Sequence, residues 1–339
     1  MLGVVRRRIL RRSRNGLVLL CILAVALAHG ADAPTPTPAS EMDSLIEVPA
    51  APEKGYHFRY LLFIPKSAAA KAYPYLLVEP NNTGRPSDDM EVHLTAAVSL
   101  ARDSSVGNFV AKTLGIPLLV PVFPRPMSAH DVYTHSLDRD TILIEDGSLR
   151  RIDLQLLAMI EDARPRLEVI GHLVKNKILI NGFSASALFA NRFTFLHPEA
   201  VAAAAFGGVN GFIMLPASEV KSQLLGFPLG LADFEKIVGR PFNRTAFEAI
   251  PQFGYMGEKD TNDAVEFDDA YSDGERSQIF EALGRKMMPD RWNAVQQVYA
   301  EQKLPVRFRT YEGIPHGTNR AINTDVAEFF RSVMEAKRD

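Results

Sequence analysis

Apolar residues along the chain fall into short blocks, and segments with helical spacing lie between them. Residues 56–65 alternate enough to make an opening antiparallel strand. Residues 75–79 form a short buried strand ending at Pro80, and 116–122 form the next. In 152–163, Ile152, Leu156, Met159 and Ile160 recur at helical spacing, and Pro165 closes the helix. Lys177-Ile178-Leu179-Ile180 reads as a buried strand running straight into a turn at Gly182, with a helix from Ala185 to about Leu196 behind it. The run 201–206, alanine between Val201 and Phe206, has helix propensity but is read as a strand. His197-Pro198 ends the preceding helix and Gly207-Gly208 stops the run. Strands resume at 252–256 and 306–311, and a helix over 319–336 closes the chain.

Strands alternating with helices predict an α/β fold, a mostly parallel central sheet with helices on both faces. The alternation breaks between Gly211 and Ile250, where Phe227-Pro228, Gly230 and Pro241 separate short helices around 233–238 and Thr245. That stretch predicts a small helical lid insertion over one end of the sheet, about 211–250, placed to select the substrate.

Arg6, Arg7, Arg8, Arg11, Arg12 and Arg14 precede an apolar run from Gly16 to Ala28, with small residues at its end. Residues 1–30 therefore read as a secretory signal cleaved near Ala28 to Ala33. The run is shorter than the roughly twenty residues a permanent span requires, and an uncleaved anchor is the alternative. Pro34, Pro36 and Pro38 alternate with alanine and threonine in a linker, 31–46, leaving one folded domain over 47–339. With 47% hydrophobic and 23% charged residues, that domain can bury a substantial core. Cys21 is the only cysteine and lies inside the signal, so the mature chain has no disulfide, thiol nucleophile or cysteine-bound metal. Six arginines and no acid precede Asp32, so cleavage takes the formal charge from −2 to about −8. An acidic surface argues against nucleic acid as partner, and contact with a membrane is confined to the signal segment.

A serine hydroxyl is a poor nucleophile unless a base lies within reach and a third group orients that base. Gly182-Phe183-Ser184-Ala185-Ser186, between strand and helix, is the Gly-X-Ser-X-small turn that exposes such a hydroxyl at a sheet edge. Ser184 is the candidate nucleophile, and Ser186, where glycine is usual, is its rival. His316, in Gly313-Ile314-Pro315-His316-Gly317 after the final strand, is the candidate base. The orienting acid belongs after the strand 252–256, where Asp260 is the choice and Asp263 the alternative.

A developing oxyanion needs two backbone N–H donors. One is expected at Ala185 and the other in Pro80-Asn81-Asn82-Thr83-Gly84, at Asn82 with Asn81 as alternative. His130, Asp131, His135, Asp138 and Arg139 follow the strand 116–122. They are read as polar surface rather than a metal site, with His135 and Arg139 as substrate-contact residues.

The chain order Ser184, Asp260, His316 resembles the α/β-hydrolase superfamily, and the Gly-Phe-Ser-Ala-Ser turn is similar to that of secreted esterases related to polyhydroxybutyrate depolymerases and feruloyl esterases. The resemblance runs from about Tyr56 to the end. It implies an α/β-hydrolase fold and an acyl-enzyme route with no cofactor or metal, acting on a small-molecule or polymeric ester, and the signal segment places the protein as secreted or periplasmic. The absence of His-Gly in the oxyanion loop and of the relatives' cysteines separates this chain from that group. A serine peptidase or acyltransferase on the same fold is the alternative within enzymes. A catalytically silent envelope binding module is the alternative outside them, and it would not require all three side chains.

Overall fold

The computed structural model describes residues 42–70, 73–103 and 105–336. The expected signal segment with Cys21, and most of the linker, lie outside the described residues. The strands are β1 (Ser44–Val48), β2 (Tyr60–Ile64), β3 (Leu77–Val78), β4 (Leu118–Pro121), β5 (Ile178–Phe183), β6 (Val201–Gly207), β7 (Glu219–Val220), β8 (Gln223–Leu224), β9 (Gln252–Gly257) and β10 (Val306–Tyr311). The helices are α1 (Met90–Arg102), α2 (Val106–Leu114), α3 (Arg139–Leu143), α4 (Ile152–Val169), α5 (Ala185–Leu196), α6 (Phe234–Val238), α7 (Arg244–Glu248), α8 (Asp273–Leu283), α9 (Trp292–Glu301) and α10 (Arg320–Ala336).

Eight strands form one sheet in the order β1-β2-β4-β3-β5-β6-β9-β10. β2 runs antiparallel to β1 and β4, and every pairing from β4 through β10 is parallel. Side chains alternate across each strand, so one sheet feeds two cores. Leu62, Leu119, Ile180, Ala204 and Phe206 pack with α4, α5 and α9 on one face, and Leu61, Leu77, Val120, Leu179 and Phe253 with α1, α2 and α10 on the other. The alanine run is the strand β6, buried throughout between β5 and β9. Parallel pairing on both edges overrides its helical propensity.

Three boundaries differ from expectation: the strand read over 56–65 is β2, which begins only at Tyr60, and two others have a visible cause. β1 begins at Ser44, inside the segment read as linker, because all five of its residues pair with β2 from Ser44↔Ile64 to Val48↔Tyr60. Helix α4 continues through Pro165 to Val169, and the turn beyond the proline carries the fully buried Leu167. The insertion 211–250 contains the β7–β8 hairpin and the short helices α6 and α7. Its anchor is aromatic: the ring centroids of Phe195 and Phe247 lie 4.2 Å apart, and Phe242 lies 5.6 Å from Phe195. Phe195 stands at the C-terminal end of α5, about 16 Å along the helix from Ser184 at 1.5 Å per residue.

The start of α4 is joined to the end of α5 by a buried polar group. Arg151 donates to Asp153 through Nε at 2.9 Å and Nη2 at 2.7 Å, and His197 Nε2 lies 2.8 Å from the same carboxylate. Burial alone would raise the Asp153 carboxyl, but the bonds from His197 and Arg151 outweigh it and hold it at about 2. A depressed carboxyl stabilises the fold above its ordinary range near 4, and that contribution disappears as pH falls toward 2. Asp153→Ala is expected to lower the unfolding free energy by about 3 kcal/mol at pH 7. The gap from wild type, measured by urea denaturation, should narrow between pH 4 and pH 2; a gap independent of pH would contradict this account.

Candidate active site

Strand β5 reaches α5 through a single residue, Ser184, with φ 62° and ψ −129°. A non-glycine residue in this region is strained by roughly 1–3 kcal/mol and persists only where its surroundings hold it. Ser184 N–H donates to Gly207 O at 3.0 Å, continuing the sheet, and Ala187 N–H donates to Ser184 O at 3.0 Å, opening the helix. Gly182 must be glycine, since a Cβ there would lie 2.1 Å from Ser186 O. Ser186 is buried, and its Oγ accepts from Phe183 N–H at 3.0 Å and donates to Phe183 O at 2.8 Å. The rival serine is thus a staple across the turn, while Ser184 remains half-buried at its apex.

The loops after β9 and β10 meet beside this turn. A Cβ on Gly257 would lie 2.4 Å from Ile314 O, so the strand end must be bare. Lys259 N–H donates to Ile314 O, and Glu258 N–H to Tyr311 O, each at 2.9 Å. Within that lacing, His316 Nδ1 lies 2.9 Å from Oδ2 of the buried Asp260. Asp260 Oδ1 accepts from Asn262 N–H at 3.0 Å. Asp263 does something different: it pairs with the guanidinium of fully buried Arg291 and accepts from Val265 N–H. Phe183 and His316 rings stand 5.0 Å apart.

Ser184 and His316 make no direct hydrogen bond. The Asn262 amide lies between them, its Nδ2 being 3.2 Å from Ser184 Oγ and 3.2 Å from His316 Nε2. Asn262 was not among the candidates read from sequence, where it is one of several polar residues in an acidic loop.

The loop after β3 is pinned from below. Asn81 is buried, donates to Phe123 O at 2.8 Å and accepts from Phe123 N–H at 3.0 Å. Asn82, half-buried, lines a cavity of about 370 Å³ together with Phe183, Ser186, Thr318 and Glu79. The Ala185 N–H is the first of α5, among the amides a helix leaves without an internal partner. Glu79, at the end of β3, accepts from Ser105 Oγ and Gly107 N–H at 2.8 Å and from Asn181 Nδ2 at 3.0 Å.

Two expected contact residues have other work. His135 is buried beneath the loop, with Nε2 donating to Phe123 O at 2.9 Å and Nδ1 accepting from Thr83 N–H at 3.4 Å. Burial pushes its imidazole down to about 3, so it stays neutral and supports the loop rather than touching substrate. Arg139 is tied to the insertion, donating to Phe227 O at 2.7 Å and pairing with Asp233 at 2.8 Å. Among the described residues, no hydrogen bond or ring contact joins the insertion to Ser184, Asp260 or His316, and no group of three or more His, Cys, Asp or Glu could hold a metal ion.

A left-handed serine between a parallel strand and a helix, with an acid–histidine pair beyond the last two strands of the sheet, is the arrangement of the α/β-hydrolase fold. The chain has that fold. It is similar to poly(aspartic acid) hydrolase-1 from Sphingomonas sp. KT-1, at 16% identity and a TM-score of 0.50 over 87% of this chain and 97% of that one. It is also similar to LpqC, a poly(3-hydroxybutyrate) depolymerase from Bordetella parapertussis, at 14% identity and a TM-score of 0.51 over 85% of this chain and 88% of that one. No protein-family model and no curated protein matches the sequence.

Burial raises the Glu79 carboxyl to about 7 against the opposing pull of Ser105, Gly107 and Asn181. A raised carboxyl keeps its proton in the folded state, so its contribution is intact below about pH 4.5 and is lost as pH rises toward 7. Glutamine can accept from Ser105 and Gly107 and donate to the Asn181 Oδ1, which has no partner among the described residues, once that amide turns over. Glu79→Gln should therefore lose less stability than wild type between pH 5 and pH 8, by about 2–3 kcal/mol in denaturant unfolding. Parallel profiles would count against Glu79 as the source.

Proposed function

We propose that the protein is a serine hydrolase that cleaves carboxylic esters through an acyl-enzyme on Ser184, with His316 as general base and Asp260 as its orienting acid. The observation carrying this reading is the His316–Asp260 contact of 2.9 Å, with His316 Nε2 and the Oγ of the strained Ser184 each 3.2 Å from the Asn262 amide nitrogen. Asp260 accepts a hydrogen bond from Nδ1–H, which leaves the Nε2 lone pair to take the serine proton once Ser184 Oγ replaces the Asn262 amide as its partner. Ser184 Oγ then attacks the ester carbonyl, and the oxyanion is held by the N–H groups of Ala185 and Asn82. The imidazolium returns its proton to the departing alcohol. A water deprotonated by His316 next attacks the acyl-enzyme and releases the acid.

The cavity beside Asn82 and Phe183 borders the reacting centre, and its mixed lining suits a short acyl or alcohol chain carrying a polar group. The basic and apolar N-terminal segment puts the activity outside the cytoplasm in this reading, on a small or polymeric ester.

A fluorophosphonate probe should label wild type and Ser186→Ala but not Ser184→Ala. With p-nitrophenyl butyrate, Asp260→Asn should lose at least about a hundred-fold in kcat because the histidine loses its orienting acceptor. Asp263→Asn should stay within about three-fold in kcat and lose stability instead, since its partner is the buried Arg291. Labelling that persists in Ser184→Ala, or an unimpaired Asp260→Asn, would overturn the proposal.

A further inference from the structure

The amide between nucleophile and base has a fixed orientation. Asp260 Oδ2 accepts a hydrogen bond from His316 Nδ1–H, so Nε2 presents a lone pair, and only the N–H side of Asn262 can face it. The two hydrogens of that NH2 group serve Nε2 and Ser184 Oγ together, both at 3.2 Å. The backbone N–H of Asn262 is anchored on Asp260 Oδ1, which sets where the side chain starts.

During collapse of a tetrahedral intermediate, the departing atom is bonded to the carbon that Ser184 Oγ holds, and it must receive its proton from Nε2. An atom meeting both conditions lies next to Asn262 Nδ2, which is within hydrogen-bond distance of both groups. We propose that Asn262 is a catalytic residue that donates a hydrogen bond to the leaving oxygen of the ester; this rests on the serine-hydrolase reading.

The step balances. A carbonyl lone pair on the oxyanion re-forms the double bond, the bond from carbon to the alcohol oxygen breaks, and its electron pair goes to that oxygen. The oxygen takes the Nε2 proton and departs as the alcohol, which restores neutral imidazole. In the intermediate the ester oxygen carries two lone pairs, one for the Nε2 proton and one for an Nδ2 proton. An amide nitrogen at the same place has one lone pair, already taken by Nε2, and its own N–H would face the Asn262 N–H. The donor at this position therefore matches an oxygen leaving group.

Asn262→Ala and Asn262→Leu remove the donor, the second at nearly constant volume, while the backbone bond to Asp260 remains. The test compares kcat/KM, which reads acylation, on ethyl butyrate and p-nitrophenyl butyrate. Ethoxide develops localised charge on its oxygen, whereas p-nitrophenolate spreads charge into the ring and leaves without a donor. Both variants should lose about ten- to hundred-fold on the ethyl ester, the scale of a hydrogen bond to a charged group. They should lose less than about three-fold on the p-nitrophenyl ester, an internal control for a folded site. Equal losses on the two esters, no loss, or a gain would overturn the role. A wild type that neither turns over an ester nor reacts with a fluorophosphonate would instead remove the serine-hydrolase reading, and this inference with it.

Discussion

The left-handed backbone at Ser184 sets the conditions that the rest of the sheet edge must meet. Its strain is offset by the hydrogen bond to Gly207 O, by the Ser186 staple, and by the missing side chain at Gly182. Each of these makes a demand on its neighbours. A side chain on Gly207 would strike the Tyr255 ring at 1.9 Å, so the ends of β6 and β9 can pair only without one. The alanines of β6 meet a related demand, since α5 packs over β5 and β6 while remaining buried along its whole length. The turn therefore dictates small residues on strands remote from it in sequence.

Four acids near this edge show how partners decide what a carboxylate can do. Asp260 faces histidine and one backbone N–H, and it is buried without a guanidinium. Asp263, three residues on, is held by Arg291 and is unavailable to the imidazole. Burial raises Glu79 and Asp138 to about 7, and both spend their oxygens on the amides of helix starts, at Gly107 in α2 and Thr141 in α3. Asp260 thus meets His316 while Asp263 meets Arg291, although only two residues separate them in the chain.

Much of this was legible in the sequence because it depends on local rules. The Gly182 turn is written in five adjacent residues, and the loops after β9 and β10 follow from two apolar runs with polar residues at their ends. What was illegible depends on pairing at a distance. β1 is a strand because β2 lies beside it and pairs with all five of its residues. Pro165 marks a helix end by local rules, yet the buried Leu167 carries α4 past it. His135 sits in a run of polar residues that reads as surface, and its burial follows from the fit of the loop after β4 under Asn81 and Thr83. Asn262 is the extreme case: its position between Ser184 and His316 exists only once β5, β6, β9 and β10 stand side by side in one sheet.

The same division explains how this architecture recurs at 14–16% identity in the two similar structures. The two cores accept apolar residues of suitable volume, so they can be rewritten with little loss while patterning and total volume are kept. Geometry at the edge depends on a few close approaches: a bare Gly182 against Ser186, and a bare Gly257 against Ile314. Those contacts place a serine, an imidazole and a carboxylate without reference to which residues fill the cores. The fold can thus persist while the cavity lining, and with it the substrate, changes. In this chain the Asn262 amide lies between Ser184 and His316, and it is carried on a loop anchored by its own N–H on Asp260, a bond that makes no demand on the side chain.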